Sequence, residues 1–289
     1  MASGDIRGLQ SQTLTFGKRS IYFSEIGQGH PVLMLHGGGP GASGMSNYSR
    51  NVEALARDFR VIVPDMQGYG RSSKGVNRQD PFGDLAEVML GFMDALGIPA
   101  AHVVGNSLGG ACGLRMALDQ PARVSSLVLM GPGGVGTTRG LPTRGLSLLL
   151  DYYNGTGPSL DKLRTFIREY LVFDGSQISE AMIKARYEAS IDPEVMAAPP
   201  LRRPPGLGAA LRMDFTRDRR LQRCKTPTLV LWGTEDKVNR PRGGAALQKA
   251  MPNCDLYLYA NTGHWVQWER ADEFNASVAA FMRRHTPKA

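Results

Sequence analysis

The side chains best suited to chemistry are a serine, a histidine and a carboxylate that lie far apart in the chain. Ser107 occupies the centre of Gly105-Asn106-Ser107-Leu108-Gly109, between the short apolar run HVV and the helix-like segment LGGACGLRMALDQ. This is a Gly-x-Ser-x-Gly pattern at a strand-to-helix corner. Such a corner pushes the serine Oγ into the open above a helix N-terminus, and it needs small neighbours because the backbone is strained and surrounding atoms approach closely. The pattern is short enough to occur by chance; its strand-turn-helix context is what makes Ser107 a candidate nucleophile. Serine attacks only when a base takes its proton, and the base needs an acid to hold its tautomer.

Five histidines are available as the base. His30 and His102 stand at the entrances of apolar runs, His285 lies in the polar tail, and His36 follows VLML in LHGGGPG, where a structural or oxyanion-loop role suits it. His264, in NTGHWVQWE, follows the last apolar run and precedes the terminal helix. The Ser, acid, His order of a serine hydrolase built on a parallel sheet puts the base at that point. The acid then falls between them, just after a strand. LVLWGTEDKVN offers Asp236 and its neighbour Glu235, either of which can orient an imidazole. Asp65, in VIVPDMQGYG, precedes the serine and reads as a loop cap. An oxyanion would take one backbone N–H from Leu108, directly after the nucleophile, and one from the glycine loop HGGGPGASG at 36–44. That loop has neither the lysine of a Walker A motif nor the acidic ribose contact of a dinucleotide site, which argues against nucleotide binding.

These groups must be positioned by the elements around them. Compact apolar runs (IYFSEIG, PVLMLHG, RVIVPD, HVVG, VSSLVLMGP, PTLVLWG, DLYLYAN) alternate with helical patterns such as SNYSRNVEALARD, DPFGDLAEVMLGFMDALG, RPRGGAALQKAM and ADEFNASVAAFMRRH. Runs without strict alternation are the mark of strands covered on both faces, so the fold class is α/β with a mostly parallel, doubly wound sheet. LTFGKRSIYFSEIG predicts an antiparallel hairpin at one edge. From 133 to 224 helix-like segments dominate. The expected organisation is a catalytic domain of 1–132 and 225–289 with a helical lid at 133–224, over the carboxyl ends of the strands where open α/β sheets place ligands.

Composition bounds the remaining classes. At 289 residues, 42% hydrophobic and 21% charged, the chain is an ordinary globular one rather than a disordered segment. No apolar stretch has the length of a signal peptide or a membrane span, which predicts a cytoplasmic protein with no membrane partner. Three cysteines (Cys112, Cys224, Cys254) without ligand-like spacing suggest neither disulfides nor metal. The net charge is +8, but the basic residues are dispersed, unlike a nucleic-acid surface. Between 132 and 225 there are 15 Lys plus Arg against 10 Asp plus Glu, a local excess of +5. An anionic small molecule is therefore one expected partner.

The chain resembles the α/β-hydrolases and, more narrowly, the meta-cleavage product hydrolases, which break carbon–carbon bonds in vinylogous 1,5-diketones. LHGGGPGASGMSNYSRNV, GNSLGG, WGTEDK and GHWVQWERADEFN carry the resemblance, and FDGSQISEAMIKARYE extends it into the lid. The resemblance implies a triad of Ser107, Asp236 and His264, with Gly38 and Leu108 as oxyanion donors. It also implies that Asn47 and Asn106 hold the dienoate end, that Arg186 binds its carboxylate and that Trp265 packs on the conjugated chain. Read without it, Asn47 could cap SNYSRNVEAL, Trp265 could be core and Arg186 a solvated helix face. No metal or cofactor is expected; a homo-oligomer is. A carboxylesterase, a cofactor-free perhydrolase and a noncatalytic small-ligand receptor of the same fold are the rival expectations.

Overall fold

Apolar runs become strands because helices shield both faces of the sheet they form. The computed structural model describes residues 6–287. Its sheet has eight strands: β1 (Gln10–Phe16), β2 (Arg19–Ile26), β3 (Pro31–Leu35), β4 (Arg60–Pro64), β5 (Ala101–Asn106), β6 (Val124–Met130), β7 (Thr228–Gly233) and β8 (Cys254–Tyr259). Their spatial order is β1-β2-β4-β3-β5-β6-β7-β8. β1 and β2 form the antiparallel edge hairpin, β2 pairs antiparallel with β4, and every later pair is parallel. Strands β5 and β7 are buried at every residue, which is why VVG and LVLW show no alternation.

Among the described residues twelve α-helices accompany the sheet: α1 (Gly44–Tyr48), α2 (Val52–Leu55), α3 (Pro81–Ala95), α4 (Leu108–Asp119), α5 (Arg144–Leu150), α6 (Leu160–Thr165), α7 (Glu180–Ser190), α8 (Pro193–Ala197), α9 (Leu207–Arg212), α10 (Arg242–Ala250), α11 (Val266–Glu269) and α12 (Ala271–His285). On one face, Phe92 of α3, Leu114 of α4 and Leu247 of α10 close over the sheet. On the other, Tyr48, Val52, Phe274 and Phe281 do the same from α1, α2 and α12. Local signals set several helix starts: Asp80 accepts the Gly83 N–H ahead of Pro81, and Ser43 with Ser46 forms a capping box on α1. The expected single helix over SNYSRNVEALARD is instead two. Asn51 spends its side-chain amide on Gln267 O and Asn275 Oδ1, both at 2.9 Å, and the chain breaks between α1 and α2 to reach them.

Between Met130 of β6 and Thr228 of β7 the described chain contains helices and short 3₁₀ turns but no strand. α6 runs directly into one π-helical turn, Phe166–Leu171. This insertion has its own core, in which Leu149, Leu163, Phe166, Ile167 and Ile183 pack with Trp265 and Trp268. The two tryptophans come from the segment just after β8, so the insertion is packed onto the loop that carries His264.

Candidate active site

The loops at the carboxyl ends of β3, β5, β7 and β8 converge beneath the insertion, where a parallel sheet leaves room for a ligand. Ser107 stands between β5 and α4 with φ 52° and ψ −109°, an unusual backbone conformation for a residue bearing a Cβ. The tightness of this corner explains the flanking glycines. A Cβ on Gly109 would lie 2.1 Å from Leu35 O, and one on Gly105 would lie 2.4 Å from Gly109 O.

His264 is 3% exposed, and its Nδ1 is 2.7 Å from Asp236 Oδ2. Asp236 has four hydrogen-bond partners: Val238 and Asn239 N–H donate to Oδ1 at 2.8 and 2.9 Å, while Trp232 Nε1 and His264 Nδ1 meet Oδ2. A carboxylate held this way accepts only, so the imidazole proton sits on Nδ1 and Nε2 is left as the basic nitrogen. That Nε2 is buried without a partner. It faces the small cavity that Ser107 also lines, although no hydrogen bond joins the two side chains; such bonds are often long before a ligand is bound. Of the two carboxylates the sequence left open, Asp236 is the one that meets the histidine. Glu235 is exposed and touches Thr234 Oγ1 at 3.3 Å.

The glycine loop after β3 is fixed from beneath. His36 donates from Nδ1 to Gly37 O at 2.8 Å and accepts the Met66 N–H on Nε2 at 2.9 Å. Complete burial holds its pKa below the ordinary imidazole value, which keeps the ring neutral and both bonds in place. Tyr69 donates to Gly38 O at 3.1 Å, and Gly109 N–H donates to His36 O at 3.1 Å. Among the described residues the N–H groups of Gly38 and Leu108 have no acceptor, and Leu108 as the first residue of α4 has no intrahelical one.

Arg186 projects from α7 into the same cavity and is 4% exposed. Its Nε donates to Pro40 O at 3.2 Å, its guanidinium lies 5.2 Å from the Trp265 ring centroid, and one terminal nitrogen is buried without any partner. No carboxylate among the described residues pairs with it. Burial lowers its pKa to about 10. The solvated-face alternative for Arg186 thus fails, because the whole side chain is enclosed.

Both asparagines line the cavity, and each is also bonded within the protein. Asn47 lies inside α1, which Ser43 caps. Its Oδ1 accepts from Gly37 N–H at 3.4 Å and Trp265 Nε1 at 3.0 Å, and its Nδ2 donates to Ser43 O at 3.1 Å and Ser46 Oγ at 3.3 Å. Asn106 Nδ2 donates to Met130 O at 3.3 Å and His264 O at 3.2 Å. Their amide hydrogens are committed to the protein, so what these residues do directly is orient Trp265, the glycine loop and the histidine. Trp265 itself is 1% exposed and stacks on Trp268 with ring centroids 5.8 Å apart.

Glu269, which no sequence motif singles out, ties the loop that carries His264 to the insertion. Its half-buried carboxylate accepts the N–H groups of Gly263 at 3.0 Å and Trp265 at 3.1 Å, on either side of His264, and that of Phe173 from the insertion at 2.7 Å. Leu171 O accepts the His264 N–H at 2.8 Å from the same stretch. The available signal was an acid within the apolar WVQWE, where it needs buried donors to be tolerated.

Ser107 is where two spaces of opposite character meet. On the Arg186 side the cavity is tight, ≈ 10 Å³, and walled by Gly38, Asn47, Asn106 and Trp265. On the other side lies a space of ≈ 240 Å³ lined mainly by apolar groups, including Phe82, Leu146, Leu149, Leu150 and Met213. Its one charged lining residue, Arg203, is paired with Asp151 at 2.5 Å. The arrangement is suited to attack by a hydroxyl on a carbonyl whose substituents are anionic on one side and apolar on the other.

A family model described as the alpha/beta hydrolase fold matches residues 31–271. The chain is 38% identical over 271 residues, 91% of each chain, to a 2-hydroxy-6-oxo-6-phenylhexa-2,4-dienoate hydrolase of Comamonas testosteroni. It is 38% identical over 275 residues, 92% of each chain, to a 2-hydroxy-6-oxononadienedioate/2-hydroxy-6-oxononatrienedioate hydrolase of a Pseudomonas species. Among solved structures it is similar to a meta-cleavage product hydrolase of Pseudomonas fluorescens IP01, with TM-score 0.84, 29% identity, and coverage of 95% of this chain and 98% of that one.

Proposed function

The chain belongs to the α/β-hydrolase fold family and, within it, to the meta-cleavage product hydrolases, and from that premise we propose that it hydrolyses the C5–C6 bond of a 2-hydroxy-6-oxohexa-2,4-dienoate. The observation that carries this reading is the buried, uncompensated Arg186 guanidinium in the cavity shared by Ser107 and His264. A buried cation lacking a counter-charge is costly, and a bound carboxylate is the partner it lacks. An enzyme acting on neutral esters has no use for it.

The dienoate enters with its carboxylate on Arg186 and its chain along Trp265, which places the C6 carbonyl near Ser107 and its acyl substituent in the apolar space. Ketonisation moves a proton to C5 and leaves a carbonyl at C2 to receive electrons later. Ser107 Oγ, or a water deprotonated through His264, then adds to C6 as His264 Nε2 accepts the proton. Gly38 and Leu108 N–H groups stabilise the oxyanion; loss of one such donor costs about 10²–10³ in rate. Collapse breaks C5–C6, and the electron pair runs through the chain to the C2 oxygen, which is protonated to give 2-hydroxypenta-2,4-dienoate. The acyl half leaves as a carboxylic acid, and one water is consumed overall. Asp236 holds the imidazolium that forms in between. Among the described residues no helix is long and apolar enough to cross a membrane, and the reading extends to a cytoplasmic enzyme meeting a freely diffusing substrate.

The test is to supply the yellow meta-cleavage products with aryl and alkyl acyl groups alongside p-nitrophenyl esters. Bleaching of a diene that is abolished by Ser107→Ala is the expected outcome. Fast ester turnover with no diene bleached would reduce the assignment to an esterase of the same fold.

A further inference from the structure

Beside the apolar space lies a wider cleft of ≈ 690 Å³, between the start of the insertion and α10. The two share Thr137, Pro142, Leu146 and Asn239 as lining, so the cleft adjoins the space that ends at Ser107. Every ionisable side chain lining it is a cation: Arg139, Arg240, Arg242 and Lys249. All four are exposed. Arg139 bonds only to Thr216, and the ion pairs of the described residues engage other cations, leaving these four without a carboxylate partner.

Elsewhere on this surface arginines sit against acids: Arg115 with Asp80 and Asp119, Arg164 with Glu180, Arg220 with Asp218. Four unneutralised cations around a concave wall have a different consequence. Their fields add, low-dielectric walls focus them, and the local concentration of anions rises. We propose that this cleft is an anion-collecting vestibule through which small carboxylates reach and leave the serine. The inference rests on the reading of the site as one acting on carboxylates: the substrate is an anion on the way in, and both products are anions on the way out. The vestibule is distinct from Arg186, which is enclosed and fixes one carboxylate, whereas these four are solvated and act at range.

A probe of potential rather than of turnover tests it. The thiol introduced by Ser107→Cys is alkylated with anionic iodoacetate and with neutral iodoacetamide, and the ratio of the two rates is read by mass spectrometry of the peptide that carries it. The same is done after adding Arg240→Gln, Arg242→Gln and Lys249→Gln, which remove exposed groups lacking carboxylate partners. The expected result is a fall in the iodoacetate-to-iodoacetamide ratio of about threefold or more on removal of the three cations. A similar fall is expected on raising salt from about 20 mM to about 500 mM before their removal, and little fall after it. A ratio that holds within about 1.5-fold under both changes overturns the proposal, since the added field would then be negligible at the nucleophile's position. Failure of either reagent to reach the introduced thiol overturns it too, because the cleft would not lead there. Absence of diene bleaching would sink the carbon–carbon hydrolase reading and leave this measurement standing.

Discussion

Replacing Arg186 by methionine should make the protein more stable and less active. The guanidinium is 4% exposed, has one hydrogen bond to Pro40 O, one terminal nitrogen with no partner and no carboxylate beside it. Burial brings its pKa from 12.5 down to about 10, which at about 1.4 kcal/mol for each pH unit is a cost of about 3 kcal/mol for holding the charged form in the fold. The sign follows from linkage. The unfolded chain binds this proton more tightly than the native one, so the destabilisation is fully present at every pH below about 10. Methionine keeps the stem's apolar packing and abolishes that cost. It also forfeits the bond to Pro40 O and the attraction to the Trp265 ring, each about 1 kcal/mol. The balance is a gain of about 1 kcal/mol, or about 2 °C in Tm for a chain of this length. Calorimetry at neutral pH measures it, beside diene bleaching, where KM should rise steeply. An unreactive carboxylate such as benzoate should raise the Tm of the native protein and leave that of the variant unmoved. A variant less stable than the parent, or one with an unchanged KM for the dienoate, would refute the reasoning.

Three further outcomes follow from other contacts. Gly41 has φ +64° and a Cβ there would fall 1.8 Å from Arg186 O, so Gly41→Ala should displace α7, cost more than about 2 kcal/mol in urea unfolding and raise KM for the dienoate. Glu269→Gln retains one acceptor for the three N–H groups of Gly263, Trp265 and Phe173; kcat should fall about tenfold for ester and dienoate alike, because His264 rather than the carboxylate site is disturbed. An effect confined to KM would contradict that role. His102 is buried between Ser126 Oγ and Thr286 Oγ1, and burial, with His30 and His285 adding, lowers its pKa to about 3. Because its folded pKa is depressed, unfolding takes up a proton below the ordinary value near 6.5. The stability it contributes is intact above that value and is lost as pH falls, by about 2 kcal/mol between about pH 7 and about pH 5. His30 and His36 shift in the same direction and steepen the slope. Chemical denaturation across that range checks it; a loss under about 0.5 kcal/mol would count against a neutral, buried His102.

The sequence by itself determined what depends on neighbours in the chain. The elbow at Ser107 is written in Gly105 and Gly109, because whether a backbone can turn that tightly is decided within a few residues. The parallel sheet is written in uninterrupted runs such as LVLW, because burial on both faces removes alternation. His264 followed from the order of elements. Tertiary structure decided what depends on partners distant in the chain. Asp236 and Glu235 are adjacent and chemically alike, and only the way Trp232, Val238 and Asn239 gather around one of them makes it the histidine's acid. On α7, Lys184 and Glu188 remain 72% and 62% exposed in side chain, while Arg186 between them is enclosed; nothing in KARYE distinguishes the three except which face the core meets. Asn47 likewise reads as a cap or a ligand donor from its neighbours in the chain, and only the fold shows that its oxygen accepts from Trp265, 218 residues away. Local preferences specify conformation, but desolvation and pairing are properties of the assembled interior, and these are what separate a charged side chain on a surface from one enclosed without a counter-charge.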